Sequence, residues 1–246
     1  MNLPSYADGV PSVTTPQMIE VDRAMVEDYR IELIQMMENA GRNLAHLARV
    51  RFLEGNPLGK AITAIAGTGG NGGGAMVAAR RLHGWGARLV VLIPDPDQAF
   101  TPIPAHQLDI LRRMGVPVLP AAQAPDSAPP SLILDGLIGY SLRGAPRGPA
   151  ADLIRWANGQ AAPVLSLDVP SGVDAGAGTL HDPAIRATAT MTLALPKEGL
   201  HKGEVAGCVG ERYLADISVP PQLYESPALG LSVGAIFAEA DVVRLR

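Results

Sequence analysis

Three glycine-containing segments carry the side chains with the clearest capacity for chemistry. They are AGTGGNGGG (66–74), LILDGLIGYSLRGAPRGP (132–149) and LSLDVPSGVDAGAG (165–178). Each segment begins in or follows a short apolar run, so Asn71, Asp135 and Asp168 are expected near the ends of buried strands. Their amide and carboxylate oxygens suit a cation that prefers hard oxygen ligands. An aspartate at such a position also caps loops and helices, and both interpretations remain open here.

Other kinds of active site are not indicated. The sequence contains no H-x-x-x-H or C-x-x-C motif and no cluster of histidines, so a zinc site is not predicted. Ser171 lies in a PSG sequence rather than G-x-S-x-G, and no histidine has an obvious pairing role, which disfavours a Ser-His-Asp hydrolase. Lys197, in LPKEGLHKG, could reach a phosphate or a carboxylate, but a solvated surface lysine is the expectation.

The glycine-rich segment contains a literal G-x-G-x-x-G at Gly67, Gly69 and Gly72. Glycines let the backbone approach a dinucleotide closely, and the N-terminus of the following helix favours phosphate. The motif alone is equally compatible with a tight turn from a strand into a helix. A dehydrogenase would also need an acidic residue after the next strand, where Asp95 lies, although Asp95 is equally typical of a turn.

The chain from residue 61 onward alternates short apolar runs with helical segments. Continuous apolar strands separated by helices predict a mostly parallel sheet covered on both faces, and ligands bind such sheets at the carboxyl ends of the strands. The predicted strands are 61–66, 88–93, 116–119, 132–135 and 163–168, with 188–195 and 208–216 as extensions of the sheet. The predicted helices are 16–29, 31–55, 74–85, 101–114 and 148–159.

The whole chain, 1–246, is expected to form a single domain, because no internal repeat or boundary is visible. Residues 1–13 are predicted to be a loose N-terminal arm, and Thr14 or Thr15 to cap the first helix with Pro16 at its start. Gly41, in the middle of the second helix, predicts close packing against another element. Residues 220–246 form a C-terminal extension in which AIFAEADVV is predicted to be a docked helix.

Composition limits the classes of function. The chain has 246 residues, 47% hydrophobic and 18% charged, with a net charge of −4 and no basic run, so nucleic acids and acidic membranes are not expected partners. The lone Cys208 excludes an internal disulfide. The N-terminus lacks the features of a signal peptide, and the longest aliphatic run, LVVLI, is too short to span a bilayer. A cytoplasmic protein is the expectation.

The segments above, in this order, resemble the YjeF N-terminal domain family, whose enzymes are NAD(P)H-hydrate epimerases. The resemblance runs from about Val13 to Pro220. TPQMIEVDRAMVEDYRIELIQMMENAGR resembles the leading helices of the family, and GTGGNGGGAMVAARRL its G-x-G-N-N-G-G-D-G-x-x-A-A-R loop. LILDGLIGYSLRGAPRGP is similar to D-A-L-F-G-T-G-L-x-R-x-x-R-G-P, and LDVPSGVDAGAG to D-I-P-S-G-L-D-A-x-x-G.

The resemblance implies a Rossmann-like three-layer αβα sandwich, commonly paired as a homodimer. It implies an isomerase that interconverts the R and S forms of NADH or NADPH hydrated at C6 of the nicotinamide ring. A dehydratase then repairs the S form, and because nothing follows Arg246 in this sequence, that dehydratase is expected to be a separate protein.

Site residues also follow from the resemblance. A potassium ion would be held by Asn71, Asp135 and Ser171. Asp168 would touch the substrate and is the expected catalytic residue, which stabilises positive charge on the ring or shuttles a proton. The remaining substrate contacts would come from Gly70, Asn71, Gly72, Gly73, Gly74, Gly139, Tyr140, Ser141, Leu142, Arg143, Gly144 and Ala145.

Two departures from the family pattern keep other functions open. Gly74 stands where the family has an aspartate, and Tyr140 stands where the family has a threonine. A divergent relative that binds a nucleotide or related ligand in a regulatory or scaffolding role is therefore the alternative. An NAD(P)-dependent dehydrogenase is a third possibility, disfavoured because the sequence offers no catalytic Tyr-x-x-x-Lys or evident His–acid pair.

Overall fold

The structure, a computed structural model, describes residues 3–6, 9–125 and 129–245. Its strands are β1 (Ser5–Tyr6), β2 (Ala61–Ala66), β3 (Arg88–Ile93), β4 (Val118–Pro120), β5 (Leu132–Gly136), β6 (Val164–Leu167), β7 (Val173–Asp174), β8 (Thr179–Leu180), β9 (Ala189–Leu193), β10 (Glu211–Ala215) and β11 (Val242–Leu245). Within these ranges, nine strands form one sheet in the order β1-β11-β10-β9-β6-β5-β2-β3-β4, and β7 pairs with β8 in an antiparallel ribbon.

The sheet is mostly parallel, as the apolar runs predict. All neighbours from β4 across to β10 pair in parallel, while β11 runs antiparallel to β10 and is itself parallel to β1. Both faces of the central strands are covered, because every residue of β5 and of β6 is buried. A strand that must be apolar on both faces cannot show the alternation of a half-exposed strand, which explains the continuous runs in the sequence.

Helices cover the sheet on both sides. They are α1 (Thr15–Glu27), α2 (Leu33–Leu47), α3 (Gly70–Gly84), α4 (Pro102–Arg113), α5 (Gly148–Gly159) and two short ones, α6 (Ala206–Val209) and α7 (Pro221–Tyr224). One core joins α2, α3 and α4 to alternate residues of β2, β3 and β5, and a second joins α5 to the intervening residues of the same strands. The three-layer αβα prediction is therefore confirmed. Among the described residues, no helix combines the length and apolar character needed to cross a membrane.

The start of α3 differs from the prediction. The sequence predicts a helix from residue 74, but α3 begins at Gly70, and a Cβ at Gly72 or Gly74 in its first turns would collide with neighbouring atoms. Gly41 of α2, predicted to pack closely, does so: a Cβ there would lie 2.6 Å from the carbonyl oxygen of Gly74 and would collide with Val77. This close approach of α2 and α3 compensates for the poor intrinsic helix propensity of glycine.

The N-terminal segment has more structure than a loose arm in its described part. Ser5–Tyr6 forms an edge strand, and the backbone of Val13 pairs with that of Lys197. Thr14 caps α1 as predicted, since its hydroxyl accepts a hydrogen bond from the backbone of Gln17 at 3.2 Å. The second predicted helix is shorter than expected, because α2 ends at Leu47 and a π-helical turn, Ala48–Phe52, follows.

The C-terminal helix prediction is wrong. The segment AIFAEADVV forms turns and then enters β11, in which Val242 and Val243 are buried. β-Branched side chains fit the pleated surface of a sheet, and antiparallel pairing with β10 provides the backbone partners. The pairing partner lies some 30 residues earlier in the chain, so the local pattern alone did not indicate it.

Candidate active site

The carboxyl ends of β2, β5 and β6 meet at one edge of the sheet because these strands are parallel neighbours. Asn71 lies in the first turn of α3, Asp135 in β5 and Ser171 in the loop after β6. Asn71 Nδ2 donates to the carbonyl of Leu167 at 2.8 Å, which ties the start of α3 to the end of β6. The three residues predicted as cation ligands therefore lie around one point of the sheet edge.

Asp135 is fully buried and every hydrogen bond it accepts comes from a neutral group. Ser171 donates to it twice, from Oγ at 2.6 Å and from the backbone N–H at 2.9 Å. The Ser166 hydroxyl donates at 2.8 Å and the Leu137 N–H at 3.2 Å. Burial raises the pKa of the Asp135 carboxyl above its usual range, and these hydrogen bonds oppose that shift.

This arrangement fits a hard monovalent cation. The Asp135 carboxylate is 0% exposed and has no cationic side chain among its hydrogen-bond partners, so its charge lacks a local counter-charge. Ser171 binds the carboxylate directly, and Ser171 and Asn71 both contact the backbone of Ile138. Among the described residues, no three histidine, cysteine or acidic side chains come together in a group that could hold a metal ion.

Gly139 gives the Asn71 side chain its space. A Cβ at Gly139 would lie 2.9 Å from both Cγ and Oδ1 of Asn71, so any larger residue would displace the amide. The carbonyl of Ile138, one residue earlier, lies 3.5 Å from Asn71 Nδ2. The β5 loop and the first turn of α3 are thus fitted to each other around the Asn71 amide.

Asp168 follows β6 and has an unusual backbone and an unusual partner. Its φ is +67°, a left-handed conformation that is strained for a residue with a side chain and that is often found at functional sites. Its side chain is buried and forms an ion pair with Lys197, whose own side chain is fully buried. Thr192 Oγ1 at 3.3 Å and the Leu193 N–H at 3.2 Å also donate to the carboxylate.

All of these donors bind the same oxygen of Asp168, Oδ1. Oδ2 accepts no hydrogen bond from any residue that the structure describes. Lys197 is held in place by its other contacts, because Nζ also donates to the Leu193 carbonyl at 2.9 Å and lies 5.9 Å from the centre of the Tyr140 ring. Asp168 therefore has one oxygen fixed by the protein and one available to a ligand.

A second carboxyl, Asp22 of α1, lies in the same region. The Tyr140 hydroxyl donates to Asp22 Oδ2 at 2.6 Å. Burial raises the pKa of Asp22 above its ordinary value, opposed by the Tyr140 hydrogen bond and the positive charge of Lys197. Burial also raises the pKa of the Tyr140 hydroxyl, and the adjacent negative charge of Asp22 raises it further.

These groups line one cleft at the carboxyl edge of the sheet. Its polar side chains include Asp22, Tyr140, Asp168 and Lys197. Most of the remaining wall is apolar and comes from α1, α2 and the segment after β10. The apolar wall includes Met18, Leu33, Met36, Met37 and Ile217. A largely apolar cleft with a few charged groups is typical of small-ligand sites.

The substrate-contact predictions fall into two groups in the structure. Gly70, Asn71, Gly74, Tyr140 and Asp168 line the cleft. Of the rest, Gly72 and Gly73 are buried against Gly67 and Met37, Gly139 packs on Asn71, Leu142 is partly buried, and Ser141, Arg143, Gly144 and Ala145 are exposed on the loop after β5. Their contact with a ligand stays a prediction.

Two polar residues of the cleft lie outside the set of predicted site residues. Lys197 was expected to be solvated, yet it is completely buried because its ammonium group pairs with Asp168. A signal was present in the preceding apolar run ALP, which ends directly at this lysine. Asp22 was not singled out, although it lies four residues after Met18 and so on the same face of α1 as that buried methionine.

The G-x-G-x-x-G of the glycine-rich segment is explained by packing. A Cβ at Gly72 would lie 2.8 Å from the backbone nitrogen of Gly67, so the turn from β2 into α3 requires glycine. Asp95 is exposed, and its Oδ1 accepts the backbone N–H of Asp97 at 2.9 Å, as in an ordinary turn. These contacts match the turn interpretation of both features.

Known proteins are similar to this chain in sequence and in fold. An NAD(P)H-hydrate epimerase of Dehalogenimonas lykanthroporepellens is 40% identical over 89% of this chain and 87% of its own length. A bifunctional NAD(P)H-hydrate repair enzyme of Salinibacter ruber is 34% identical over 89% of this chain, which spans only 42% of that enzyme. The crystal structure of the yeast protein YNL200c has the same fold, with a TM-score of 0.80 over 96% of this chain and all of its own, at 24% identity.

The family comparison covers most, but not all, of the residues that build the site, because Asp22 of α1 and Ile217 lie outside the matched range. The family model described as YjeF-related protein N-terminus matches residues 33–199, which extend from the start of α2 to just beyond Lys197. That range contains the glycine-rich turn, both strand-end aspartates and the lysine that pairs with Asp168. The chain belongs to the YjeF-related protein N-terminus family.

Proposed function

We propose that this protein is an epimerase that interconverts the R and S forms of hydrated NADH and NADPH. The observation that carries the proposal is Asp168, a strained and buried carboxylate with one oxygen fixed by Lys197 and the other without a partner in an apolar cleft. Relatives that are named NAD(P)H-hydrate epimerase and are 30–40% identical over most of the chain support the same conclusion.

The chemistry proposed for the cleft is removal and return of the C6 hydroxyl. When the hydroxyl departs as water, positive charge develops on the dihydronicotinamide ring. The Asp168 carboxylate is suited to stabilise that charge, because it lies in a largely apolar cleft where the local dielectric is low. Return of water to the opposite face of C6 would give the other epimer.

A potassium ion is proposed to bind at Asn71, Asp135 and Ser171. The fully buried Asp135 carboxylate without a cationic partner and the neighbouring neutral oxygens support this assignment. The ion would supply positive charge next to the loops after β5 and β6. Those loops carry Tyr140 and Asp168, so the cation is expected to hold the walls of the cleft in position.

The proposed partners follow from the proposed reaction. A dehydratase that acts on the S form is expected to consume the product, and the bifunctional repair enzymes among the relatives, of which this chain spans about two fifths, are consistent with such coupling. A homodimer and a cytoplasmic location are proposed as well, on the basis of the family resemblance.

The test is a direct epimerisation assay. Purified protein is incubated with the R form of hydrated NADH, the two epimers are separated by chromatography over time, and the rate without protein is subtracted. We expect interconversion far above the uncatalysed rate, and faster complete repair when an S-specific dehydratase is added. Binding of the hydrated nucleotide in calorimetry without any epimerisation would overturn the proposal in favour of a binding role.

A further inference from the structure

The cleft contains two carboxyl groups whose partners differ. The Oδ1 atom of Asp168 is bound by an ammonium group, a hydroxyl and a backbone N–H. Asp22 is bound by a single neutral group, the Tyr140 hydroxyl at 2.6 Å, and its Oδ1 accepts no hydrogen bond from the described residues. A carboxylate paired with a lysine keeps its charge in a buried site, whereas a carboxyl paired only with a phenol loses little by carrying a proton.

The surroundings of Asp22 favour the protonated form further. The cleft wall beside it is formed by apolar side chains, including Met18 one turn earlier on α1. Arg23, the next residue, does not neutralise Asp22, because its guanidinium binds Glu20, Glu27 and Asp28. Burial is accordingly the main reason that the pKa of Asp22 is raised.

Every ionisable group that acts on Asp22 comes from another element. Tyr140, from the loop after β5, and Lys197, from the loop after β9, both favour the ionised form. Asp168, after β6, opposes ionisation, and so burial and Asp168 act together against a hydrogen bond and a more distant ammonium group. Tyr224 of α7 also senses the charge of Asp22, because the negative charge of that carboxyl contributes to raising the pKa of the phenol.

We propose that Asp22, hydrogen-bonded to Tyr140, is the proton-carrying acid and base of the reaction, while Asp168 serves as the fixed negative charge. This assignment rests on the proposed epimerase function. It gives charge stabilisation to Asp168 and proton transfer to Asp22, two roles for which the sequence offered only Asp168. Two carboxyls in one cleft with different environments are a common way to obtain one proton donor and one charge stabiliser.

The proposed step conserves atoms and charge. The Asp22 carboxyl gives its proton to the C6 hydroxyl, the C6–O bond breaks, and its electron pair leaves with the oxygen as water. The lone pair of the ring nitrogen forms the C=N bond of a cationic ring, which faces Asp168. Water then adds to the opposite face of C6, and its surplus proton returns to Asp22. No oxidant or reductant is required.

Two substitutions test the assignment with the full chain. Asp22→Asn keeps the size of the side chain and a hydrogen-bond partner for Tyr140 but cannot carry the proton, so we expect the epimerisation rate to fall at least ~100-fold. Tyr140→Phe keeps the ring and removes the hydrogen bond that stabilises the ionised Asp22. The matched control is Glu27→Gln, an exposed carboxyl on the same helix that binds only Arg23.

The pH dependence separates a proton-carrying role from a structural one. The wild-type rate should fall as the pH rises through the pKa of Asp22, because the acid form is lost. Tyr140→Phe should move this fall in rate to higher pH, since loss of its hydrogen bond raises the pKa of Asp22 further. An Asp22→Asn rate within about threefold of the wild type, or a fall in rate that does not move in Tyr140→Phe, would overturn the assignment.

A measurement without substrate distinguishes this assignment from the epimerase proposal. In protein with isotope-labelled aspartate carboxyl carbons, the NMR signal that disappears in Asp22→Asn should titrate above an ordinary aspartate and shift upward in Tyr140→Phe. An ordinary titration of that signal overturns the role of Asp22, whatever the assay shows. If the wild-type and Glu27→Gln proteins show no epimerase activity but Asp22 still titrates above an ordinary aspartate, the epimerase proposal is overturned. Asp22 and Tyr140 would then remain a pair that holds a proton.

Discussion

Asp135 and Asp168 occupy similar positions in the sequence but have opposite surroundings in the structure. Each lies at the carboxyl end of a buried parallel strand, and β5 and β6 are neighbours in the sheet. Asp135 has both oxygens occupied by neutral donors and no exposed surface. Asp168 has one oxygen bound by an ammonium group, while the other accepts no hydrogen bond from the part of the chain that the structure describes.

The difference shows how one edge of a sheet can support two kinds of site. The polar cluster around Asp135 is closed and its hydrogen bonds are satisfied, so it can hold the loops in a fixed arrangement. The cluster around Asp168 is open and strained, with a left-handed backbone that the neighbouring contacts must maintain. A fixed region beside a reactive one provides the preorganisation that electrostatic catalysis requires.

The largest expected effect is the loss of epimerisation rate when Asp168 is substituted. Asp168→Asn removes the negative charge but keeps the shape of the side chain, so the epimerisation rate should fall by ~10²–10⁴-fold. The fold should also lose stability, by up to ~3–5 kcal/mol, because the buried Lys197 then lacks a counter-charge. Activity is measured by chromatographic separation of the epimers and stability by urea unfolding.

The double variant Asp168→Asn/Lys197→Met is the control for this prediction, since it removes the buried charge that the single variant leaves unpaired. It should recover most of the lost stability and none of the lost rate. Recovery of the rate would contradict a direct role for the Asp168 charge and would make the pair purely structural.

The polar cluster around Asp135 should make the stability of the protein depend on the cation in solution. Wild-type protein is expected to be more stable in potassium chloride than in choline chloride at equal ionic strength, because the native state binds the smaller ion. Asp135→Asn should lose this potassium-dependent gain in stability. Its free energy of unfolding should fall by a further ~1–3 kcal/mol, since its amide N–H groups would face the Ser166 and Ser171 donors.

Glu54→Gln, which alters a side chain that is 86% exposed, is the matched control and should keep the potassium-dependent gain in stability. An undiminished gain in Asp135→Asn would place the cation elsewhere and would remove the main contrast between the two aspartates.

The sequence predicted the parts of this arrangement that depend on local patterns. Apolar runs identified the central strands, and the position of Asp135 and Asp168 at strand ends placed them at one edge of the sheet. It did not show which aspartate has a cationic partner. Lys197 lies 29 residues after Asp168, and only the parallel pairing of β6 with β9 brings the two together.

The same limit explains the errors in the fold. The first turns of α3 contain glycines that disfavour a helix locally, but contact with α2 at Gly41 outweighs that propensity. The local sequence predicts a helix at the start of β11, because the strand's partner, β10, is distant in sequence. Local propensity is a small energy, and in both regions tertiary packing decides the outcome.

Gly74 connects the two regions, because it lies on α3 one turn after Asn71 and touches Leu167, the residue before Asp168. A Cβ at Gly74 would lie 2.6 Å from Cδ2 of Leu167, so the Leu167 side chain must shift and Gly74→Ala should lose most or all of the ~1 kcal/mol that alanine gains over glycine in a helix. Gly84→Ala, at the far end of the same helix with open space around it, should instead stabilise by up to ~1 kcal/mol. Urea unfolding measures both, and equal effects would contradict the close contact.

The smallest expected effect is a change in how the stability of the protein depends on pH when Asp22 is substituted. Its raised pKa in the folded protein means that protonation favours the native state. The contribution is fully present below the pKa of the unfolded chain and is lost as the pH rises through the folded value. Asp22→Asn has no such loss, so its stability should decline less than that of the wild type between these two values and exceed it at neutral pH.

Urea unfolding at several pH values checks this, with Glu27→Gln expected to follow the wild type. Asp135 also has a raised pKa, but it is present in all three proteins, so its contribution cancels in the comparison. A parallel decline in wild type and Asp22→Asn would mean that Asp22 is ionised as readily as a surface carboxyl. The cleft would then hold two carboxylates of one kind, and the contrast within the site would reduce to the single ion pair of Asp168 and Lys197.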